Sequence, residues 1–245
     1  MLAESPAAAG ELLEALAEVG GFDRAALEAL PAGSPLLAAT VPGALRGELR
    51  AQDVCPVLPL NGPGPDLGGR ISHKLLADVA WRRRRLERSS RVQLRRAGAH
   101  DLPARLADLF RLHRARWGAR GQQGVLAAQA LERFHAEAAP ALLRAGLLRL
   151  LSVHVGGRAV AVLHALAAQG RAYAYLSGLD PAWAQASPGS MLFLRLIEDA
   201  REEGLQELDF LRGQEAYKYR FGPEDRHTLT LELRPVAGAE AQEGR

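Results

Sequence analysis

The stretch LLRLLSVHVGGRAVAVLHALAAQGRAYAYLSGL, residues 147–179, decides how this chain folds. It holds three short runs, Leu147–Val155, Arg158–Ala167 and Arg171–Leu179, separated by Gly156-Gly157 and Gln169-Gly170. Two-residue joints between strand-like runs signal hairpins. The spacing therefore predicts an antiparallel meander.

Downstream, Pro188–Glu203 reads as a helix closed by Gly204. A strand at Gln206–Leu211, a short helix through Tyr217 and a strand at His227–Leu233 follow. Upstream, Ile71–Glu87, Leu102–Trp117 and Ala127–Ala145 carry helical apolar spacing, and Val92 and Leu94 alternate with polar neighbours as in a strand. Residues 8–30 read as one or two amphipathic helices, with Leu12, Leu13 and Leu16 and then Leu27 and Leu30. Val54–Leu60 reads as a short strand. Asn61-Gly-Pro-Gly-Pro65 suits neither element and is expected to be the main linker. It separates residues 1–65, read as the end of an incomplete lobe with its linker, from a domain over 66–245 whose tail from Val236 frays. This order predicts an α/β fold with a mixed, largely antiparallel sheet flanked by helices.

The 245 residues are 48% hydrophobic and 24% charged, ordinary for a globular protein that buries a core, and only 5% aromatic. The net charge of +3 is unevenly spread: residues 81–96, WRRRRLERSSRVQLRR, hold eight Arg against one Glu, so the remainder is net acidic. A solvated helix face or a clamp for an anionic substrate accounts for this run better than DNA or RNA, since Trp81 is its only aromatic companion. A lone cysteine, Cys55, rules out an intrachain disulfide and fits a reducing compartment. The acidic N-terminal stretch does not resemble a signal peptide, and no apolar run approaches membrane-spanning length, so a cytoplasmic protein is expected. The seven histidines lack metal-ligand spacing, and no Gly-x-Ser-x-Gly elbow is present.

Two segments carry candidate chemistry. Ser187-Pro-Gly-Ser190 reads as a helix start, with Ser as N-cap, Pro at the first helical position and Gly189 leaving room for a ligand. Such a start suits a phosphate, and equally an ordinary capped helix. Asp209-Phe-Leu-Arg-Gly-Gln-Glu-Ala-Tyr-Lys-Tyr-Arg-Phe-Gly222 packs charged and phenolic groups at a strand end, where α/β proteins place ligand sites. It reads as well as an ion-pair cluster pinning the last helix. Only Lys74 and Lys218 are lysines among 31 basic residues, which singles out Lys218 between two tyrosines.

Tyr173-Ala-Tyr-Leu-Ser-Gly-Leu-Asp180, Ser187-Pro-Gly189, Asp209-Phe-Leu-Arg-Gly213 and Tyr217-Lys-Tyr-Arg-Phe-Gly222 together resemble the CelD-like acetyltransferases. These are a group of the GNAT superfamily related to the FemAB peptidyltransferases. His113-Arg-Ala-Arg-Trp117 and Arg133-Phe-His135 fit the same group, and the resemblance covers about residues 66–235. The usual pyrophosphate motif, Gln/Arg-x-x-Gly-x-Gly/Ala, is replaced by Gln185-Ala-Ser-Pro-Gly-Ser190.

The resemblance implies a GNAT fold and transfer of an acetyl or other acyl group from acyl-CoA to an amine, in cell-envelope or polysaccharide synthesis or on a small molecule. It implies that Ser187, Pro188, Gly189, Ser190 and Met191 cover the CoA pyrophosphate. Lys218 would stabilise developing negative charge, Asp209 or Glu215 would act as base, and Tyr217 or Tyr219 would protonate the thiolate. Arg212, Arg220 and Trp117 would bind substrate. No metal is implied, and a homo-oligomer is compatible. Two alternatives stay open: a Fem-like transfer from aminoacyl-tRNA docked on the Arg-rich helix, and a catalytically silent GNAT-like binding module.

Overall fold

The computed structural model describes residues 3–236; the tail beyond Val236 lies outside the described residues. Two compact units make up the chain, Pro56–Glu224 on the one hand and Met1–Cys55 with Asp225–Arg245 on the other.

In the smaller unit, α1 (Pro6–Val19) is followed by β1 (Ala25–Pro31), and the strands run in the order β1-β8-β2. Here β2 is Leu45–Pro59, whose last residues belong to the other unit, and β8 is Glu224–Pro235. The core is Ala9, Leu13, Leu30, Leu36, Leu45, Leu231 and Leu233. The helix expected around Leu27 and Leu30 is corrected to strand β1. Leu27 pairs with Leu231 and Leu30 with Leu229, so two residues of β1, Glu28 and Ala29, oppose one of β8, Thr230, across a bulge. Ala29 adopts a left-handed φ of 55° there, and its N–H donates to Gln52 Oε1 at 2.7 Å. A bulge thus gives a strand the i, i+3 spacing of a helix. β2 also starts nine residues before the expected Val54, because residues 46–52 are exposed and carry no apolar period.

The larger unit contains α2 (His73–Glu87), β3 (Val92–Arg96), α3 (Leu102–Gly118), α4 (Gln129–Arg144), β4 (Leu148–Val155), β5 (Arg158–Ala168) and β6 (Arg171–Leu179). It continues with α5 (Pro188–Glu202), β7 (Glu207–Asp209) and α6 (Ala216–Tyr219). The strand order is β2-β7-β6-β5-β4-β3, antiparallel except for the β6–β7 pair. The predicted meander is observed in β4–β6. Alternation along it supplies two cores. Leu151, Val153, Ala161 and Leu163 pack with Met191, Leu196, Phe210 and Phe221, while Leu148, Leu150 and Val162 pack with Leu106, Leu109 and Leu112.

The expected strand over Gln206–Leu211 is only Glu207–Asp209, because Leu211 turns into the left-handed region at φ 59°. A 3₁₀ turn at Pro181–Ala186, not anticipated from the sequence, precedes α5. Gly178 lets α3 lie directly on β6: a Cβ there would sit 2.6 Å from the His113 backbone nitrogen and 2.7 Å from Leu112 Cβ. Among the described residues, no helix is long and apolar enough to cross a membrane, and no group of three or more His, Cys, Asp or Glu is arranged to hold a metal.

Candidate active site

The parallel strands β6 and β7 pair only through Arg171–Tyr173 and Glu207–Asp209. β6 then continues to Leu179 while β7 ends, so the far half of β6 faces a wedge instead of a partner. A bulge where Ala165 pairs with Ala174 and His164 with Leu176 turns β6 at Tyr175, just before this half. The wedge is a cavity of about 370 Å³, floored by Val162 and Leu163 of β5 and walled by Ser177 and Gly178 of β6.

The start of α5 caps the cavity through Ser187, Pro188, Gly189 and Ser190. These four predicted ligand residues are brought together, with a correction to the expected cap. Ser187 has φ 53° and ψ 43°, and its hydroxyl makes no capping bond. Its carbonyl instead accepts from the Ser190 N–H at 3.0 Å and the Met191 N–H at 3.3 Å. A left-handed non-glycine residue costs on the order of 1–3 kcal/mol, a strain that gathers at ligand sites. The result is an unused hydroxyl and the Gly189 N–H at the positive end of a fifteen-residue helix. Met191 is not part of the wall; its side chain is buried in the core.

Arg116 of α3 and Arg120 of the turn that follows it line the opposite side, with Tyr217 of α6. Arg116 donates a hydrogen bond to Ser177 Oγ, and its charge acts on the Tyr217 phenol. Burial, first of all, holds the guanidinium below its ordinary pKa. The Tyr217 phenol is pushed up, first by burial and then by the Glu215 charge, with Arg116 opposing. It therefore remains protonated at neutral pH. Burial would raise the Glu215 carboxyl, but hydrogen bonds from Lys218 and its own backbone, with the Lys218 and Arg116 charges, bring it below the usual carboxylate range.

Lys218 is placed differently from the expectation of a charge-stabilising group. It is 2% exposed and lies outside the cavity lining. Its Nζ donates to the carbonyls of Leu211, Arg212 and Gly213 at 3.0, 2.9 and 2.9 Å and meets Glu215 Oε2 at 2.8 Å. The ammonium is thus spent on the chain itself. Asp209 Oδ1 accepts from the Leu211 N–H at 2.7 Å, so the predicted base holds the same turn from the other side. Neither Asp209 nor Glu215 lines the cavity.

The remaining candidates lie around the rim or elsewhere. Tyr219 and Arg212 are exposed and off the lining. Arg220 stands 3.8 Å from Asp78, in a separate cleft beside α2. Trp117 supports the site through Arg120, whose guanidinium lies 5.5 Å from its ring centre. Gly124 gives the α3–α4 connection its fit: a Cβ there would lie 2.5 Å from Trp117 Cδ1. Sequence reasoning missed Arg116, Arg120 and Ser177 as wall residues. The segment His113–Trp117 drew notice, but helical spacing does not say which arginine of a helix faces a cavity.

A family described as an acetyltransferase (GNAT) domain matches residues 73–219. No curated protein matches the chain. Among solved structures, the DUF2156 C-terminal domain of a protein named as a lysylphosphatidylglycerol synthetase, from Agrobacterium fabrum, superposes with a TM-score of 0.65 at 13% identity, covering 93% of this chain and 72% of that one. FemX gives 0.66 at 10% identity over 92% and 76% of the two chains. A conserved protein of unknown function from Bacteroides thetaiotaomicron gives 0.62 at 14% identity over 94% and 75%. At these identities the likeness is one of fold.

Proposed function

The chain belongs to the acetyltransferase (GNAT) domain family, and we propose that it transfers an acyl group from acyl-CoA to an amine at the wedge between β6 and β7. The observation that carries this reading is the cavity itself, capped by the start of α5 and walled by the Tyr217 phenol. Backbone N–H groups and the helix dipole at Gly189 and Ser190 suit the pyrophosphate, and the Ser187 hydroxyl is free to join them. The pantetheine arm and thioester extend along the unpaired half of β6.

The amine nitrogen attacks the thioester carbonyl carbon and forms a tetrahedral oxyanion. N–H groups on the open edge of β6 stabilise that charge; one well-placed donor is worth about 3 kcal/mol of barrier. Collapse breaks the carbon–sulfur bond. The departing thiolate takes its proton from Tyr217, whose raised pKa keeps it protonated beforehand. The amine's proton leaves through water to Glu215, which Lys218 keeps ionised. Lys218 and Asp209 act as positioning residues for the turn between β7 and α6.

Two measurements test the reading. CoA or acetyl-CoA at a hundred times its dissociation constant should raise the unfolding free energy by about 2.7 kcal/mol, visible as a thermal shift. A panel of small amines should then release free CoA thiol from acetyl-CoA. A chain that no acyl-CoA stabilises would overturn the proposal.

A further inference from the structure

We infer that a second cleft, built by the Arg-rich helix, receives the nucleotide end of the acyl-CoA: the adenine ring and its ribose 3′-phosphate. This rests on the acyl-CoA reading above and extends it to residues that reading leaves unused.

The cleft has a volume of about 260 Å³ and lies between α2 and the 3₁₀ turn before α5. Trp81 and Arg85 of α2 face Trp183 and Gln185 of the turn across it. Trp81 is 48% exposed, and the Arg85 guanidinium carbon lies 5.4 Å from its ring centre. A half-exposed indole, a second indole opposite and a guanidinium make a place for a flat aromatic ring beside an anion. Any base can stack on an indole, and a guanidinium matches a phosphate in a planar fork.

The charges on α2 favour one phosphate over an extended polyanion. Arg82 pairs with Asp78 and Arg83 with Glu87, each at 2.9 Å. Half of the Arg82–Arg85 run is thereby neutralised one turn away. Arg82 is occupied further by the Gln185 carbonyl, a bond that ties α2 to the turn. Arg85 has no carboxylate partner among the described residues, and it is the arginine lying over the indole.

The turn also joins this cleft to the first cavity. A 3₁₀ turn repeats every three residues. Pro181, Ala184 and Ser187 accordingly line the first cavity, while Ala182, Trp183, Gln185 and Ala186 line the second. The two are back to back on one turn that leads into the α5 start. A ligand with its thioester in the wedge and its pyrophosphate at Gly189 carries its nucleotide out over that turn, toward Trp81.

The test uses the full chain, with tryptophan fluorescence and calorimetry and five probes: CoA, dephospho-CoA, adenosine 3′,5′-bisphosphate, pantetheine and tRNA. Adenosine 3′,5′-bisphosphate alone should quench the fluorescence. Dephospho-CoA should bind the wild type about tenfold more weakly than CoA, and Arg85→Gln should lose that difference. Trp81→Leu should weaken CoA about tenfold or more and leave pantetheine unchanged. Both side chains are exposed, so the variants should fold; if Trp81→Leu does not, Arg85→Gln against dephospho-CoA decides alone. Equal CoA affinity in the wild type and both variants would overturn this inference and leave the acyl-CoA reading standing. No CoA binding to the wild type would overturn both. Quenching by tRNA with no response to adenosine 3′,5′-bisphosphate would assign the cleft to RNA and overturn it too.

Discussion

Lys218 and Asp209 meet at Leu211, the one taking its carbonyl and the other its N–H. Leu211 is left-handed at φ 59°, so both side chains hold a strained turn in place. Replacing Lys218 by Met leaves three carbonyls and Glu215 without their donor. The expected cost is on the order of 3 kcal/mol, measured by urea unfolding. A catalytic lysine with no positioning role would instead leave stability near wild type while abolishing turnover. Tyr217→Phe should behave in the opposite way: it removes one hydroxyl and should change stability by no more than about 1 kcal/mol, but kcat should fall about a hundredfold with little change in KM. The scarcity of lysine in the sequence drew attention to the right turn. It did not show that the ammonium points inward, because that depends on three carbonyls from residues 211–213 converging on it, and no spacing rule describes such convergence.

At the scale of elements, the start of α5 and the contact of α3 with β6 govern the site. Ser187 is held left-handed with its hydroxyl unused by the helix. Ser187→Gly should therefore stabilise the fold by up to about 1 kcal/mol, since glycine accepts that conformation without strain. The same change should weaken CoA binding if the hydroxyl touches the pyrophosphate, so calorimetry and unfolding must move in opposite directions. Gly178→Ala should cost about 1–3 kcal/mol, because the added methyl meets the backbone of α3 and not a yielding side chain. These elements were legible to different degrees. The meander and the helices α2, α3 and α5 followed from periodicity and Gly joints. The bulge at Ala29, the left-handed Leu211 and the turn at Pro181–Ala186 did not, since each is a backbone conformation imposed by neighbours distant in sequence.

For the molecule as a whole, the sequence pattern identified the sheet and singled out the segment that caps the cavity, but not the rest of the cavity wall. That wall combines α3, β5, β6, α5 and α6, and only tertiary packing selects Arg116 and Ser177 from their helix and strand. The same packing buries four histidines, and this has a consequence for stability. His164 is 1% exposed, with neither ring nitrogen hydrogen-bonded among the described residues. Its ring centre lies 5.6 Å from that of His135 and 5.5 Å from that of Tyr175. Burial, and then the His135 charge, push its pKa from 6.5 down to about 4. The unfolded chain thus takes up this proton near pH 6.5, whereas the folded chain resists until about pH 4. Between those values the unfolded state holds more protons, so stability is full above the upper one and falls toward the lower. The loss amounts to about 3 kcal/mol for this group. His113, His135 and His154 shift the same way, each first by burial, and steepen the decline. Urea unfolding measured from pH 7.5 to 4 should show this slope. His164→Phe, which keeps a ring of similar size, should flatten it by about 3 kcal/mol across the window. An unchanged slope in that variant would mean that the His164 ring is neutral or charged alike in the folded and unfolded chain.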